Sequence, residues 1–273
     1  MIVFPNAKIN VGLNIAARRS DGFHEISTLF YPVKELCDIL EVAIIENQTR
    51  PLVFTQSGSA VDCDLESNLC VKAYHLFNGR VPLPPVAMHL HKIIPAGAGL
   101  GGGSSDAAFT LKVLNSLLEN PLTDRQLVEF AAELGSDCPF FIVNSPCIGK
   151  GRGEALKPVA VDLSGFHLLL VNPKIYVNTG KAYSLSAPSP WETDIEILLG
   201  QSIDTWRNSI FNDFERVVFE LHPSVGNIKH QMYRLGAVYA ALSGSGSTVY
   251  GIFNSIPNYE PEFENYFVKL VQL

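Results

Sequence analysis

Five glycines fall within the seven residues Gly97-Ala98-Gly99-Leu100-Gly101-Gly102-Gly103, and Ser104 and Ser105 follow at once. Glycine leaves backbone N–H groups unscreened by a Cβ. The residues after the loop, Ala107, Ala108, Leu111, Leu114, Leu117 and Leu118, recur at helical spacing and predict a helix that Ser104 or Ser105 caps. A helix N-terminus beside such a loop favours a phosphate, because unpaired N–H groups and the helix dipole both attract an anion. Gly97, Gly99 and Gly102 also satisfy the dinucleotide fingerprint G-x-G-x-x-G. The residues before them, however, include His89, His91 and Lys92, where a doubly wound parallel strand is nearly all apolar. A Walker loop fails at Gly103, which stands where the phosphate-binding lysine belongs. A phosphate loop of another kinase class and a plain glycine linker remain open.

Other residues able to do chemistry sit on short, readable elements. Ile9, Val11, Leu13 and Ile15 alternate with Lys8, Asn10, Gly12 and Asn14, which predicts a half-buried strand with Lys8 and Asn14 facing solvent. Phe23 and His24 follow Asp21-Gly22 in an apparent hairpin turn, an unusual place for an aromatic ring and an imidazole. A helix begins at Thr123, where Gln126 completes a capping box, and stops at Gly135 as its C′ residue. Asp137, just before Cys138-Pro139, reads locally as the N-cap of the next helix. Strands are predicted over 166–171, 237–242 and 248–253, with a helix over 225–235. The last two strands are joined by a second glycine-rich turn, Ser243-Gly244-Ser245-Gly246-Ser247.

The chain must also supply the bodies that hold these groups. Its 273 residues suffice for one large domain or two ordinary ones. The polar, glycine-rich stretch from Gly149 to Glu154 reads as a linker, giving domains 1–153 and 154–273. A net charge of −7 argues against a general nucleic-acid binder. Five cysteines, Cys37, Cys63, Cys70, Cys138 and Cys147, form no C-x-x-C pair, which suggests neither a disulfide framework nor a zinc site and fits a reducing cytoplasm. No apolar run is long enough to cross a membrane as a helix. Secretion and membrane insertion are therefore not expected; the expectation is a cytoplasmic protein, monomeric or weakly dimeric.

Three segments resemble, in order, the three motifs of the galactokinase, homoserine kinase, mevalonate kinase and phosphomevalonate kinase (GHMP) superfamily. They are Pro5 to Asn10, Pro95 to Ala108 and Leu242 to Ser247. Arg19-Ser20-Asp21-Gly22-Phe23-His24, Glu66-Ser67-Asn68-Leu69, Leu134 to Pro139 and Gly151-Arg152-Gly153-Glu154 are similar to one branch of it. The acceptor of that branch is a polyol carrying a cytidine diphosphate group, on the non-mevalonate route to isoprenoids. Other GHMP acceptors, and less so a dinucleotide-dependent oxidoreductase, are the alternatives.

The resemblance implies an α+β, two-domain GHMP kinase fold, with an N-terminal domain like domain 2 of ribosomal protein S5 and an α/β C-terminal domain. It implies ATP and Mg²⁺ as cofactors, Asp137 as general base, and Lys8 as the cation beside it. ATP would be held by Asn68, Pro95, Gly97, Gly99, Leu100, Gly101, Gly102, Gly103, Ser104 and Ser105, with Ser105 also a metal ligand. The substrate would meet Asn10, Asp137, Thr179, Gly244 and Gly246, with Phe23 and Tyr183 as the two walls of a cytosine slot and His24 at the base edge. Phe23 stands where tyrosine is commoner, and residues 186–205 match no motif.

Overall fold

A computed structural model describes residues 1–46, 49–59 and 64–273; Cys63 lies outside the described residues. The chain divides into two compact units, each assembled from separate stretches. The first comprises residues 1–7, 36–96 and 101–145, and the second 8–35, 97–100 and 146–273.

The first unit is built on a four-stranded sheet of β1 (Ile2–Val3), β4 (Ile39–Ile44), β6 (Val86–Lys92) and β5 (Leu52–Gly58), in that order. β6 runs antiparallel to β4 and parallel to β5. This mixed pairing differs from the doubly wound arrangement that a dinucleotide fold needs. Alternation along β6 buries Val86, Met88 and Leu90, while His89 and His91 hydrogen-bond Ser57 on the opposite face. Among the described residues four α-helices belong to this unit: α1 (Leu69–Asn78), α2 (Gly102–Leu117), α3 (Asp124–Leu134) and α4 (Cys138–Val143). α3 starts on the expected capping box, with Thr123 and Gln126 bonding each other's backbone, and buries Leu127, Phe130 and Ala131. Gly135 closes it in extended rather than left-handed backbone, at φ 170°.

The second unit holds two four-stranded sheets. One orders β2 (Asn6–Arg18), β3 (His24–Cys37), β7 (Cys147–Gly151) and β8 (Ala155–Pro158). The expected linker from Gly149 to Glu154 is therefore the end of β7 and its turn into β8, and the expected cut at 153/154 falls inside that antiparallel hairpin. Its glycines serve a tight turn, with Gly151 at φ +72° and Gly153 at φ +111°.

The other sheet orders β10 (Tyr239–Leu242), β11 (Val249–Phe253), β9 (His167–Asn172) and β12 (Phe267–Gln272), with every pairing antiparallel. Alternation of helix and strand in the C-terminal sequence thus makes no parallel crossover. Helices α5 (Thr179–Leu185), α6 (Ile195–Leu199), α7 (Ile203–Ser209), α8 (Phe214–Leu221) and α9 (Pro223–Arg234) complete the unit. Leu13 and Ile15 of β2, Leu169 of β9, Phe214 and Val218 of α8, and Ile228 and Met232 of α9 share one buried cluster.

β2 departs from its sequence pattern. Every residue from Asn6 to Ile15 is buried, including the polar set Asn6, Lys8, Asn10 and Asn14. Neither Lys8 nor Asn14 faces solvent. Asn14 donates to Asp213 at 2.9 Å and to the Ser189 carbonyl at 2.7 Å. Gly12, at φ +65°, brings the strand against Ile210 and against Trp191 of the segment without a motif match: an added Cβ would lie 2.6 Å from the first and 3.0 Å from the second.

Candidate active site

Buried polar groups need partners, and in the second unit those of β2 lead directly to both glycine loops. Lys8 Nζ donates to Asn10 Oδ1 at 2.5 Å and lies 5.3 Å over the Phe30 ring. Asn10 Nδ2 donates to Thr28 Oγ1, and the Asn10 N–H donates to Ser243 Oγ. Ser243 Oγ in turn donates to the Gly99 carbonyl at 2.9 Å, while the Lys8 N–H donates to the Leu100 carbonyl at 2.9 Å.

Gly99, at φ +79°, touches the last loop so closely that a Cβ would lie 1.9 Å from the Ser243 carbonyl oxygen. A Cβ on Gly244 would lie 3.2 Å from Asn10 Oδ1 and 3.4 Å from the Gly99 carbonyl. Lys8, Asn10, Gly99, Leu100, Ser243 and Gly244, from three separate motifs, are thus one hydrogen-bonded cluster. Gly246 packs beside Leu242, at 3.0 Å from its added Cβ.

Two asparagines that sequence reasoning missed brace this cluster. Asn212 Nδ2 donates to the carbonyls of Leu242 and Gly244, both at 2.8 Å, and Asn172 Nδ2 donates to Ser247 and Thr248. No spacing signals either one, because their partners are loop groups distant in sequence. Tyr176, 73% exposed, lies beside Gly97 and was likewise not singled out. Thr179 Oγ1 hydrogen-bonds Ser245 Oγ at 2.8 Å, so Thr179 is tied to the last glycine loop.

The aromatic residues are arranged differently from the expected pair of walls. The His24 ring stacks on Tyr183, with centroids 4.7 Å apart and planes 16° from parallel, and Tyr183 meets Phe214 edge to face. Phe23 is half exposed and packs under the Arg152 guanidinium, 4.8 Å from its ring centroid. His24 and Tyr183 are brought together, whereas Phe23 is set against a residue outside the expected slot. Burial and the nearby Arg18 charge pull the His24 pKa below its ordinary value, which keeps the imidazole neutral at pH 7.

In the first unit the glycine run after Leu100 opens α2. Gly101 is its N-cap in left-handed backbone at φ +71°, and Gly102 and Gly103 form its first turn. Ser104 and Ser105 therefore lie inside the helix instead of capping it, and no side chain caps the end. The Ser105 N–H closes on the Gly101 carbonyl, which leaves the N–H groups of Gly102, Gly103 and Ser104 without helical partners. Ser105 Oγ is buried and has no hydrogen-bond partner. Pro95 lies between β6 and this loop.

Beneath the helix start lies a buried charge cluster. Lys92 Nζ donates to Asp106 Oδ2 at 2.6 Å and to Asp38 Oδ2, while Asp38 Oδ1 accepts the N–H groups of Ile93 and Ile94. Burial, together with the Asp38 charge, pushes the Asp106 carboxyl up to about 7 against the pull of Lys92. Burial opposes the Lys92 charge too, but the two carboxylates outweigh it and the ammonium is held above its ordinary range.

Asp137 occupies the N-cap position of α4, yet its carboxylate makes no capping hydrogen bond. Burial pushes the neighbouring Cys138 thiol up to about 12, which keeps it protonated at neutral pH. Asn68 caps α1 through Oδ1, at 2.9 Å from the Cys70 N–H, and its Nδ2 donates to Gln56. The Asn68 side chain is thereby engaged at both ends. Among the described residues no group of three or more His, Cys, Asp or Glu side chains could hold a metal ion, and no helix is long and apolar enough to cross a membrane.

Comparison with known proteins agrees with the motif reading. Residues 68–145 match the GHMP kinases N terminal domain, and residues 195–260 match the GHMP kinases C terminal domain. The chain is 46% identical over 254 residues to the 4-diphosphocytidyl-2-C-methyl-D-erythritol kinase of Bacteroides fragilis, covering 93% of this chain and 92% of that one. It is 47% identical over 255 residues to the enzyme of the same name from Azobacteroides pseudotrichonymphae, covering 93% of each. A crystal structure of 4-(cytidine 5′-diphospho)-2C-methyl-D-erythritol kinase superposes over the full length of both chains, with a TM-score of 0.83 at 30% identity. Homoserine kinase from Cytophaga hutchinsonii shares the fold, with a TM-score of 0.71 at 16% identity over 99% of this chain and 93% of that one.

Proposed function

This chain belongs to the 4-diphosphocytidyl-2-C-methyl-D-erythritol kinase family of the GHMP kinases, and from that premise we propose both its reaction and the residues that perform it. It is an ATP-dependent small-molecule kinase. It transfers the γ-phosphoryl group of ATP to the 2-hydroxyl of 4-(cytidine 5′-diphospho)-2-C-methyl-D-erythritol, a step toward isopentenyl diphosphate by the non-mevalonate route. The observation that carries the residue assignment is the hydrogen-bonded cluster of Lys8, Asn10, Gly99, Ser243 and Gly244, which unites three motifs around one buried ammonium.

Phosphoryl transfer asks little covalent chemistry of a protein; it asks for positioning and charge compensation. The N–H groups of Gly102, Gly103 and Ser104 receive the nucleotide phosphates at the start of α2. The close packing of Gly99 on Ser243 and Gly244 fixes the last glycine loop against the residues just before Gly101 in sequence. Asp137, at the N-cap position of α4, accepts the proton of the attacking hydroxyl. Lys8, buried on β2, offsets the negative charge that develops on the acceptor oxygen.

His24, neutral at pH 7 and held by its stacking on Tyr183, offers one donor and one acceptor to the edge of the cytosine, and Phe23 supplies a stacking face. Thr179, Gly244 and Gly246 shape the loop that faces the substrate. The buried, unpartnered Ser105 hydroxyl is a hard oxygen donor of the kind that Mg²⁺ takes, and it would help to hold the ion. Mg²⁺ there would neutralise phosphate charge.

The test is ADP release from ATP and Mg²⁺ with the cytidine substrate, run beside mevalonate, homoserine and galactose. Turnover is expected with the cytidine substrate alone. Asp137→Asn is expected to lower kcat by roughly 10²–10⁴ while leaving KM for ATP nearly unchanged. Turnover with another acceptor, or an unimpaired Asp137→Asn enzyme, overturns the substrate or the base respectively.

A further inference from the structure

Gly151-Arg152-Gly153-Glu154 is a family-like segment that the reaction as described leaves without a task, and its arginine lies over a single ring. Its glycines allow a turn in which the Glu154 carboxylate folds back on its own motif: Oε2 accepts the Arg152 N–H at 2.7 Å, and Oε1 lies 3.5 Å from Arg152 Nε. A Cβ on Gly151 would press within 3.1 Å of that carboxylate. The Gly151 N–H donates to Glu25 Oε1 at 2.9 Å, which ties this turn to the β2–β3 turn.

The β2–β3 turn is built with equal care. The Phe23 N–H donates to Asp21 Oδ1, the Arg19 N–H donates to the Phe23 carbonyl at 2.8 Å, and the Arg19 side chain bonds both Asp21 and Glu25. Asp21 is held below the usual carboxylate range, first by the Phe23 N–H, then by Arg19 and by the charge of Arg152. With backbone and carboxylates so engaged, the guanidinium of Arg152 lies over Phe23, a ring that is half exposed.

We propose that Arg152 is a positioning residue for the pyrimidine of the substrate: its planar guanidinium covers one face of Phe23 and holds the ring as a fixed wall whose other face stacks on the base. The proposal rests on the reading of Phe23 as a base-stacking residue. It also accounts for how the site works without the phenolic hydroxyl of the commoner tyrosine, since a flat cation on the ring replaces a hydroxyl anchor.

The test is a double-mutant cycle in steady-state kinetics with Arg152→Met, Arg152→Lys, Phe23→Leu and Arg152→Met/Phe23→Leu, with thermal unfolding as a check that each is folded. Arg152→Met is expected to raise KM for the cytidine substrate about two- to fivefold, the worth of an exposed cation–π contact. KM for ATP and kcat should stay within about twofold. Arg152→Lys should behave like Arg152→Met, because a compact ammonium does not reproduce the stacked plane. In the Phe23→Leu background, Arg152→Met should add nothing.

Full rescue by lysine would assign Arg152 to charge attraction and overturn the proposal. A lower KM in Arg152→Met would mean that the guanidinium fills the place of the base, and overturns it as well. An equal effect of Arg152→Met with and without Phe23 does the same. An unchanged KM in Phe23→Leu overturns instead the reading of Phe23 on which the proposal rests.

Discussion

Asp106→Asn isolates the buried charge cluster under the phosphate loop, and its effect on stability follows from one proton. Burial pushes the Asp106 carboxyl up to about 7, whereas in the unfolded chain it titrates near 4. Between those values the folded protein holds a proton that the unfolded chain has released, so folding stability falls as pH rises through this window. From pH 5.5 to pH 7.5 the window spans roughly 1.5 units, which at 1.36 kcal/mol per unit is about 2 kcal/mol.

In Asp106→Asn an amide oxygen still accepts from Lys92 Nζ where Oδ2 does now, at 2.6 Å. The amide nitrogen takes the place of Oδ1, which has no partner, at a cost independent of pH. All other titrating groups are common to both proteins, so the difference between them reports this one. Urea unfolding at both pH values is expected to show the stability of Asp106→Asn, relative to the parent, rising by about 2 kcal/mol from pH 5.5 to 7.5. Parallel pH profiles would refute the reasoning, since Asp106 would then be ionised throughout.

The other expectations concern single atoms. Gly99→Ala introduces a Cβ 1.9 Å from the Ser243 carbonyl oxygen at a residue with φ +79°, so the two glycine loops must separate. KM for ATP is expected to rise at least about tenfold, with the far-ultraviolet circular dichroism spectrum unchanged. Thr123→Ala removes the capping box of α3 and should lower stability by about 1 kcal/mol in urea titration, with kinetic constants as in the parent.

Elements whose signals are local were legible in the sequence. The capping box at Thr123 and the strand–loop–helix at Gly97 to Ala108 both rest on contacts within a few residues. The fine structure of the loop was less legible: two serines and three glycines all suit a helix start, and only the left-handed backbone of Gly101 makes it the N-cap. The polar side of β2 was misjudged because alternation reports which residues differ, not which are buried. Lys8, Asn10 and Asn14 are buried because Ser243, Thr28 and Asp213 satisfy β2, and two of those partners lie some 200 residues away. Asn212 and Asn172 were invisible for the same reason. The stretch from Gly149 to Glu154 has the composition of a linker, but its glycines serve positive φ in a hairpin, a distinction that composition does not carry.

The pairing of β3 with β7 has a consequence for how the chain is made. Residues Ile26–Phe30 find their partners only at Cys147–Gly151, more than a hundred residues later. At the ordinary rate of synthesis that is a wait on the order of 10 s, during which the β2–β3 ribbon has an open edge. Asn10 waits longer still, for Ser243. The row of Lys8, Asn10 and Asn14 that ends buried keeps one side of the nascent ribbon wettable until then, so the residues that build the finished site also guard the newborn strand against sticking to its neighbours.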